Sequence, residues 1–172
     1  VVYYENVNVD KPLTIRSENG SANCIVRSTD AFDHVFEITS NYVNISGFSV
    51  EGLKFFRQYY KAGIYLNGKY CNLSDNNVFN NRYGIYLVNS SNNTLSTNYL
   101  LNNDYNGIQL SNSSYNTIVK NNASSKDYNG IQLSNSSYNT IVKNNASNNG
   151  LSGFSLIFSN YNIIARNNVS NN

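Results

Sequence analysis

The chain of 172 residues has no methionine, no tryptophan, one proline, one histidine and two cysteines. Each shortage excludes something. Soft copper sites draw on Met, Cys and His, so a sequence offering only His34, Cys24 and Cys71 argues against copper. The cysteines show no C-x-x-C spacing, a weak metal signal. Charged residues make up 13% and the net charge is +2 without a basic cluster, which argues against a nucleic-acid partner. No apolar run of about 18 residues exists, so no membrane span is expected. No motif implies a cofactor. Scarce helix formers argue against a helical protein.

What is abundant is Asn, about one residue in five, together with Ser, Gly and 15 Tyr. Such a composition suits either a low-complexity chain or a repeat with Asn in its turns, and the repeats decide. Asp104 to Ser124 reads DYNGIQLSNSSYNTIVKNNAS and recurs letter for letter from Asp127 to Ser147, an offset of 127 − 104 = 23. Gly84, Gly107, Gly130 and Gly153 keep that step, and Gly63 lies 84 − 63 = 21 before Gly84. Each Gly opens an apolar pair around one variable residue, as in Ile85/Leu87 and Ile108/Leu110. Two further apolar columns follow, one through Ile45, Leu73, Leu95, Ile118, Ile141 and Ile164, the other through Val50, Val78, Leu100, Ala123, Ala146 and Val169.

Three short strands per unit at this period mean a solenoid. The predicted fold is all-β, a single-stranded right-handed parallel β-helix of about six to seven coils, each about 4.8 Å above the last. The regular coils have 21 to 23 residues. One domain spans 1–172, irregular over 1–62 with an insertion at 51–62, and regular over 63–172; it reads as a piece of a longer chain. Stacking turns Asn93, Asn116, Asn139 and Asn162 into one inward ladder, and Asn98, Asn121, Asn144 and Asn167 into a second. Amides both donate and accept, and Asn tolerates the left-handed backbone of a sharp corner. The Gly column is expected to serve another corner. A chain so rich in stacked coils, without visible polar caps, suits end-to-end homo-assembly or adjoining domains.

The stretches ENVNVDKPLTIRSENG, HVFEITSNYVNISGFSVEG and KAGIYLNGKYCNLSDNNVFNNRYGIYLVNSSNNTLSTN resemble the parallel β-helix repeats of the NosD family, most of all those of large cell-surface and S-layer-associated proteins of methanogenic archaea. The resemblance covers nearly the whole chain. It implies this fold, an extracellular or cell-surface location, and a choice among copper handling, carbohydrate binding and hydrolysis. The fold itself hosts lyases, hydrolases, adhesins and scaffolds.

Glycan cleavage needs paired carboxylates, and the regular coils hold only Asp75, Asp104 and Asp127. Asp104 and Asp127 share a column, a weak calcium candidate beside the simpler reading of two turn residues. The other acidic stretch, Asp30 to Glu37, falls in an irregular loop around His34, itself read as a surface residue. No catalytic residue is assigned and no enzyme is expected. Binding has more support. Tyr65, Tyr86, Gln109 and Gln132 take the variable position between inward neighbours and point outward, a column that Glu37 begins and Ser155 continues. Tyr70, Tyr115, Tyr138 and Tyr161 make a second column, and Lys120, Lys143 and Arg166 a basic one that continues Asp75 and Thr97. The insertion carries Lys54, Phe55, Phe56, Arg57, Tyr59 and Tyr60, further ligand-binding candidates. Cys71 fills core and free thiols are favoured over a Cys24–Cys71 bridge. Among the N-x-S/T sequons, Asn112 and Asn135 sit in turns and are the better glycosylation candidates. The leading expectation is a rigid, non-catalytic envelope spacer or assembly element that binds glycan. The alternative is a β-helix polysaccharide lyase or glycoside hydrolase, with copper handling behind both.

Overall fold

A computed structural model describes residues 1–53, 61–125 and 127–172. The strands within them form three parallel sheets wound by one chain. The first sheet contains β1 (Val2–Tyr4), β4 (Ile25–Arg27), β7 (Ser49–Glu51), β10 (Asn77–Phe79), β13 (Tyr99–Asn103) and β16 (Asn122–Ser125). The second contains β2 (Val7–Val9), β5 (Phe36–Ile38), β8 (Ala62–Leu66), β11 (Tyr83–Val88), β14 (Ile108–Ser111), β17 (Asn129–Ser134) and β19 (Ser152–Ile157). The third contains β3 (Thr14–Arg16), β6 (Asn44–Ser46), β9 (Asn72–Ser74), β12 (Thr94–Ser96), β15 (Thr117–Val119), β18 (Thr140–Val142) and β20 (Ile163–Ala165). Each strand pairs with its equivalent one coil on, three places along except at the end, where the first sheet continues only as bridges at Asn145 and Asn168 and β17 pairs with β19 and β18 with β20, for about seven turns.

The third-sheet strands are short because one residue in each points inward and its neighbours face out, whereas second-sheet strands carry two inward residues around one outward residue. Most three-residue strands of the third sheet show a single buried centre between half-buried flanks. Stacking those centres builds the core. Ile45, Leu73, Leu95, Ile118 and Ile141 in the third sheet, Val50, Val78 and Leu100 in the first, and Ile64/Leu66, Ile85/Leu87 and Ile108/Leu110 in the second are all fully buried. Register pairs each with its equivalent on the next coil, as in Ile45↔Leu73 and Leu95↔Ile118. Cys71 is buried among them and Cys24 half-buried, and both thiols are free.

The corners are solved by a two-residue device. Thr97, Lys120, Lys143 and Arg166 have φ of 54°, 56°, 58° and 58°, and each precedes a ladder residue, Asn98, Asn121, Asn144 or Asn167. Tyr115, Tyr138 and Tyr161, at 60°, 59° and 55°, stand likewise before Asn116, Asn139 and Asn162. The left-handed position is therefore not the ladder Asn itself, as the residue's preferences suggested, but the residue before it. That reversal frees the Asn side chain to point inward. Asn121 shows what it does there. Its Oδ1 accepts from the Asn98 backbone N–H (2.9 Å) and Nδ2 (3.0 Å), and its own Nδ2 donates to the Leu95 carbonyl (2.9 Å) and to Asn144 Oδ1 (3.0 Å). One amide thus satisfies backbone groups that the strand ladders miss at the bend.

The same device recurs beyond the two expected ladders. Ser113 Oγ accepts from Ser90 N–H at 3.0 Å and Ser136 Oγ from Ser113 N–H at 3.0 Å. Asn103 Oδ1 accepts from Asn81 N–H at 3.1 Å. The Gly column has a different reason from the one expected. A Cβ on Gly84 would lie 2.5 Å from the Gly107 carbonyl and 2.6 Å from a Leu100 methyl. Close approach, not a left-handed backbone, requires glycine there.

Removing one inward amide strands several buried groups at once. Asn121→Ala is expected to lower stability by about 2–4 kcal/mol in urea unfolding, while the outward neighbour change Asn122→Ala costs about 1 kcal/mol or less. Equal effects would contradict the ladder's role.

Candidate functional site

The outward residues of the second sheet lie in one register column: Asn8, Glu37, Tyr65, Tyr86, Gln109, Gln132 and Ser155. Tyr65 and Tyr86 meet edge to face at 5.9 Å. A chain of ring contacts then runs further than that column, through the buried Tyr83. Tyr83 stacks on Tyr86 at 4.8 Å, Tyr105 meets Tyr83 at 5.1 Å, and Tyr128 lies 3.9 Å beyond Tyr105. The Arg82 guanidinium sits 5.2 Å over the Tyr105 ring. Tyr83, Tyr105 and Tyr128 were not singled out from the sequence, although Tyr105 and Tyr128 keep the 23-residue step. Burial first, with the neighbouring Tyr105 and Tyr86 phenols, pushes Tyr83 up to about 12, and burial raises Tyr65 as well. Both hydroxyls stay protonated donors.

The amide half of the column needs correction. Gln109 was expected to be exposed and is 6% exposed. Its Oε1 accepts from Asn106 Nδ2 at 2.6 Å and its Nε2 donates to the Leu110 carbonyl at 3.1 Å. Gln132 Oε1 accepts from both Asn106 and Asn129, at 2.8 and 3.1 Å. These amides largely satisfy one another, so Gln109 is closed off while Gln132, like Tyr65 and Tyr86, stays half-buried.

At the other end Tyr65 stacks on His34 at 4.4 Å, with planes 16° apart. His34 is not the surface residue expected: it is 8% exposed and its Nδ1 accepts the Ala62 backbone N–H at 2.9 Å. Burial, reinforced by the nearby Lys61 charge, lowers the imidazole from 6.5 to about 4. Beside it, at the corner between the first and second sheets, a small cleft of about 30 Å³ has Asp30, Asp33, Lys61, Arg82 and Asp104 among its lining residues. Asp30 Oδ1 accepts from Phe32 N–H at 2.8 Å and Asp33 Oδ1 from His34 N–H at 2.7 Å, so two carboxyls are oriented by their own turns. Three acidic and two basic residues thus line one cleft near the starts of strands β8, β11 and β14. No spacing rule could have joined residues 30–33 to 61, 82 and 104, because stacked coils with unequal loops bring them together.

Of the remaining candidates, Asp104 lines this cleft whereas Asp127 is exposed one coil on. Among the described residues no group of three or more His, Cys, Asp or Glu could hold a metal ion. Asn112 and Asn135 are exposed at left-handed corners, φ 51° and 49°. Lys54, Phe55, Phe56, Arg57, Tyr59 and Tyr60 lie outside the described residues, between Leu53 and Lys61, which both line the cleft.

The family described as periplasmic copper-binding protein (NosD) matches residues 5–172. The chain belongs to the NosD family. No curated protein matches it. Among solved structures, the Dettilon tailspike protein superimposes with a TM-score of 0.80 at 19% identity, covering 96% of this chain and 36% of that one. A mutant of the periplasmic alginate epimerase AlgG gives 0.72 at 18% identity, covering 96% and 42%. The catalytic domain of a GH87 α-1,3-glucanase, in complex with nigerose, gives 0.74 at 18%, covering 97% and 33%. An alginate lyase from Paenibacillus sp. str. FPU-7 is also similar, at a TM-score of 0.59 and 13% identity. This NosD-family chain spans well under half of the first three, and at these identities the likeness is one of fold.

Two consequences follow. Copper does not fit the residues present: Met is absent, the Nδ1 of the lone His34 is spent on a backbone amide, and Cys71 is buried in the core. The expectation that the chain is not an enzyme is overturned. It rested on a missing acid/base pair in the regular coils. An epimerase, a glucanase catalytic domain and a lyase share this scaffold. No helix among the described residues is long and apolar enough to cross a membrane.

His34 gives a pH signature. Between pH 6.5 and 4 the folded state binds fewer protons than the unfolded chain, so its contribution is full above 6.5 and is lost as pH falls toward 4. Wild type is expected to lose on the order of 2 kcal/mol more than His34→Gln across this window, read from urea midpoints at each pH. Parallel profiles would contradict a buried neutral His34.

Proposed function

We propose that this NosD-family β-helix acts on a polysaccharide outside the cytoplasm, with the polymer laid across the outer face of the second sheet. The carrying observation is that Asp30, Asp33, Asp104, Lys61 and Arg82 line one small cleft, with Arg82 also lying over the Tyr105 ring of the neighbouring tyrosine cluster. Tyr65 and Tyr86 pack against sugar rings and donate hydroxyls. In the cleft a carboxyl moves the proton that bond cleavage requires, and Lys61 and Arg82 hold negative charge on the substrate or its developing oxyanion. The carbohydrate-active proteins sharing the fold support this reading, and the family's periplasmic description supports the location.

The two chemistries within it separate by product: hydrolysis yields a saturated reducing end, elimination an unsaturated one. Polyuronates and α-glucans are incubated with the protein while reducing ends and ultraviolet absorbance are followed. Turnover is expected, lowered about 100-fold or more by Asp104→Asn or Lys61→Ala, with Tyr86→Ala acting mainly on KM. No turnover on any polymer, or turnover indifferent to the cleft variants, overturns the proposal.

A further inference from the structure

A second face repeats more strictly than the site above. On the third sheet, β15 runs outward through Thr117 and Val119 and β18 through Thr140 and Val142, in register. Tyr115 and Tyr138 precede these strands, and Lys120 and Lys143 follow them. The last coil repeats the layout with Tyr161 and Arg166 around β20. The face therefore lies between two rails, one aromatic and one cationic. The tyrosines stack face to face at 5.1 and 5.0 Å and are 58%, 48% and 75% exposed, so they present ring edges and hydroxyls.

Two observations set the rails apart from surface filler. First, all six residues hold a left-handed backbone, φ 55° to 60°. Bulky side chains adopt it at a cost that Asn or Gly avoids. The same corners carry Asn92 and Gly47 in other coils, so the easier residue is available to this sequence. Second, the cations repel along the rail, yet no carboxylate among the described residues lies within ion-pair distance of Lys120, Lys143 or Arg166. Charge is segregated along the chain: residues 76–172 hold five Lys and Arg against two Asp, a balance of 5 − 2 = +3, whereas residues 1–75 hold seven against eight, 7 − 8 = −1.

We propose that this face binds a linear anionic polysaccharide along the solenoid axis, its acid groups on the Lys120–Lys143–Arg166 rail and its hydroxyls toward the tyrosine rail. Near-identical rungs about 4.8 Å apart, close to the length of one sugar ring, give a polymer the same contact at every step, and avidity grows with each rung. A small molecule gains nothing from such repetition. Hydroxyl-bearing Thr117 and Thr140 between the rails suit a sugar. The tyrosines stack on one another and leave no open ring platform for nucleic-acid bases between them. The face lies on a different sheet from the cleft and does not depend on catalysis there.

The test is affinity electrophoresis in gels holding polygalacturonate or, as the neutral control, dextran. Polygalacturonate is expected to retard the protein and dextran not to, with retardation falling as salt rises. The triple change Lys120→Gln, Lys143→Gln and Arg166→Gln weakens binding at least about tenfold and flattens the salt dependence. These side chains are exposed, and an unchanged circular dichroism spectrum confirms the variant's fold. Asp104→Asn leaves the binding intact, which separates this face from the cleft. Retention of binding by the triple variant, equal retardation by dextran, or preferential displacement by a single-stranded oligonucleotide overturns the assignment.

Discussion

Everything in this molecule depends on how the chain turns a corner without leaving backbone groups unpaired. The left-handed residue reverses the chain, and the following Asn or Ser reaches inward to serve the coils on either side. Asn98, Asn116, Asn121, Asn139 and Asn144 are all 1% exposed or less, a burial that polar side chains tolerate only when fully hydrogen-bonded. The apolar columns supply most of the free energy. The amide ladders decide where each coil sits, because a slipped coil would break backbone and side-chain bonds together.

Function follows from that rigidity. Side chains from separate coils hold fixed positions because the coils cannot slide. The second sheet uses this to hold Tyr65 and Tyr86 in one column near a cleft whose charged residues are drawn from four stretches of chain. The third sheet uses it for repetition, placing like residues on successive rungs. One backbone thus offers a convergent site and a periodic surface on different faces, and the corner chemistry is common to both.

Much of the architecture was legible because the 23-residue duplication aligns every column. The Leu95–Ile118 and Leu100–Ala123 columns, the inward Asn ladders and the outward direction of Tyr65 and Tyr86 all follow from the period and from strand alternation. The finer chemistry was not. Preference statistics favour Asn for a left-handed corner, so they pointed one residue past Lys120 and Tyr115. Gln109 and Gln132 look like free donors until Asn106 and Asn129 are seen packed on them. His34 and Asp33 sit in an irregular loop whose partners, Tyr65, Ala62 and Lys61, lie about one coil away. Asp104 looked like a turn residue because the cleft it lines with Arg82 and Asp30 is assembled only in space.

Amide hydrogen exchange at the corners tests the central claim most directly. If inward amides fix the stack, the backbone N–H groups of Asn98, Asn116, Asn121 and Asn139 exchange as slowly as core strand amides such as Leu95 and Ile118, through the same opening of the coils. Corner amides that exchange orders of magnitude faster than those strands, as loop amides do, would show that the ladders are ornaments on a stack held by its apolar columns alone.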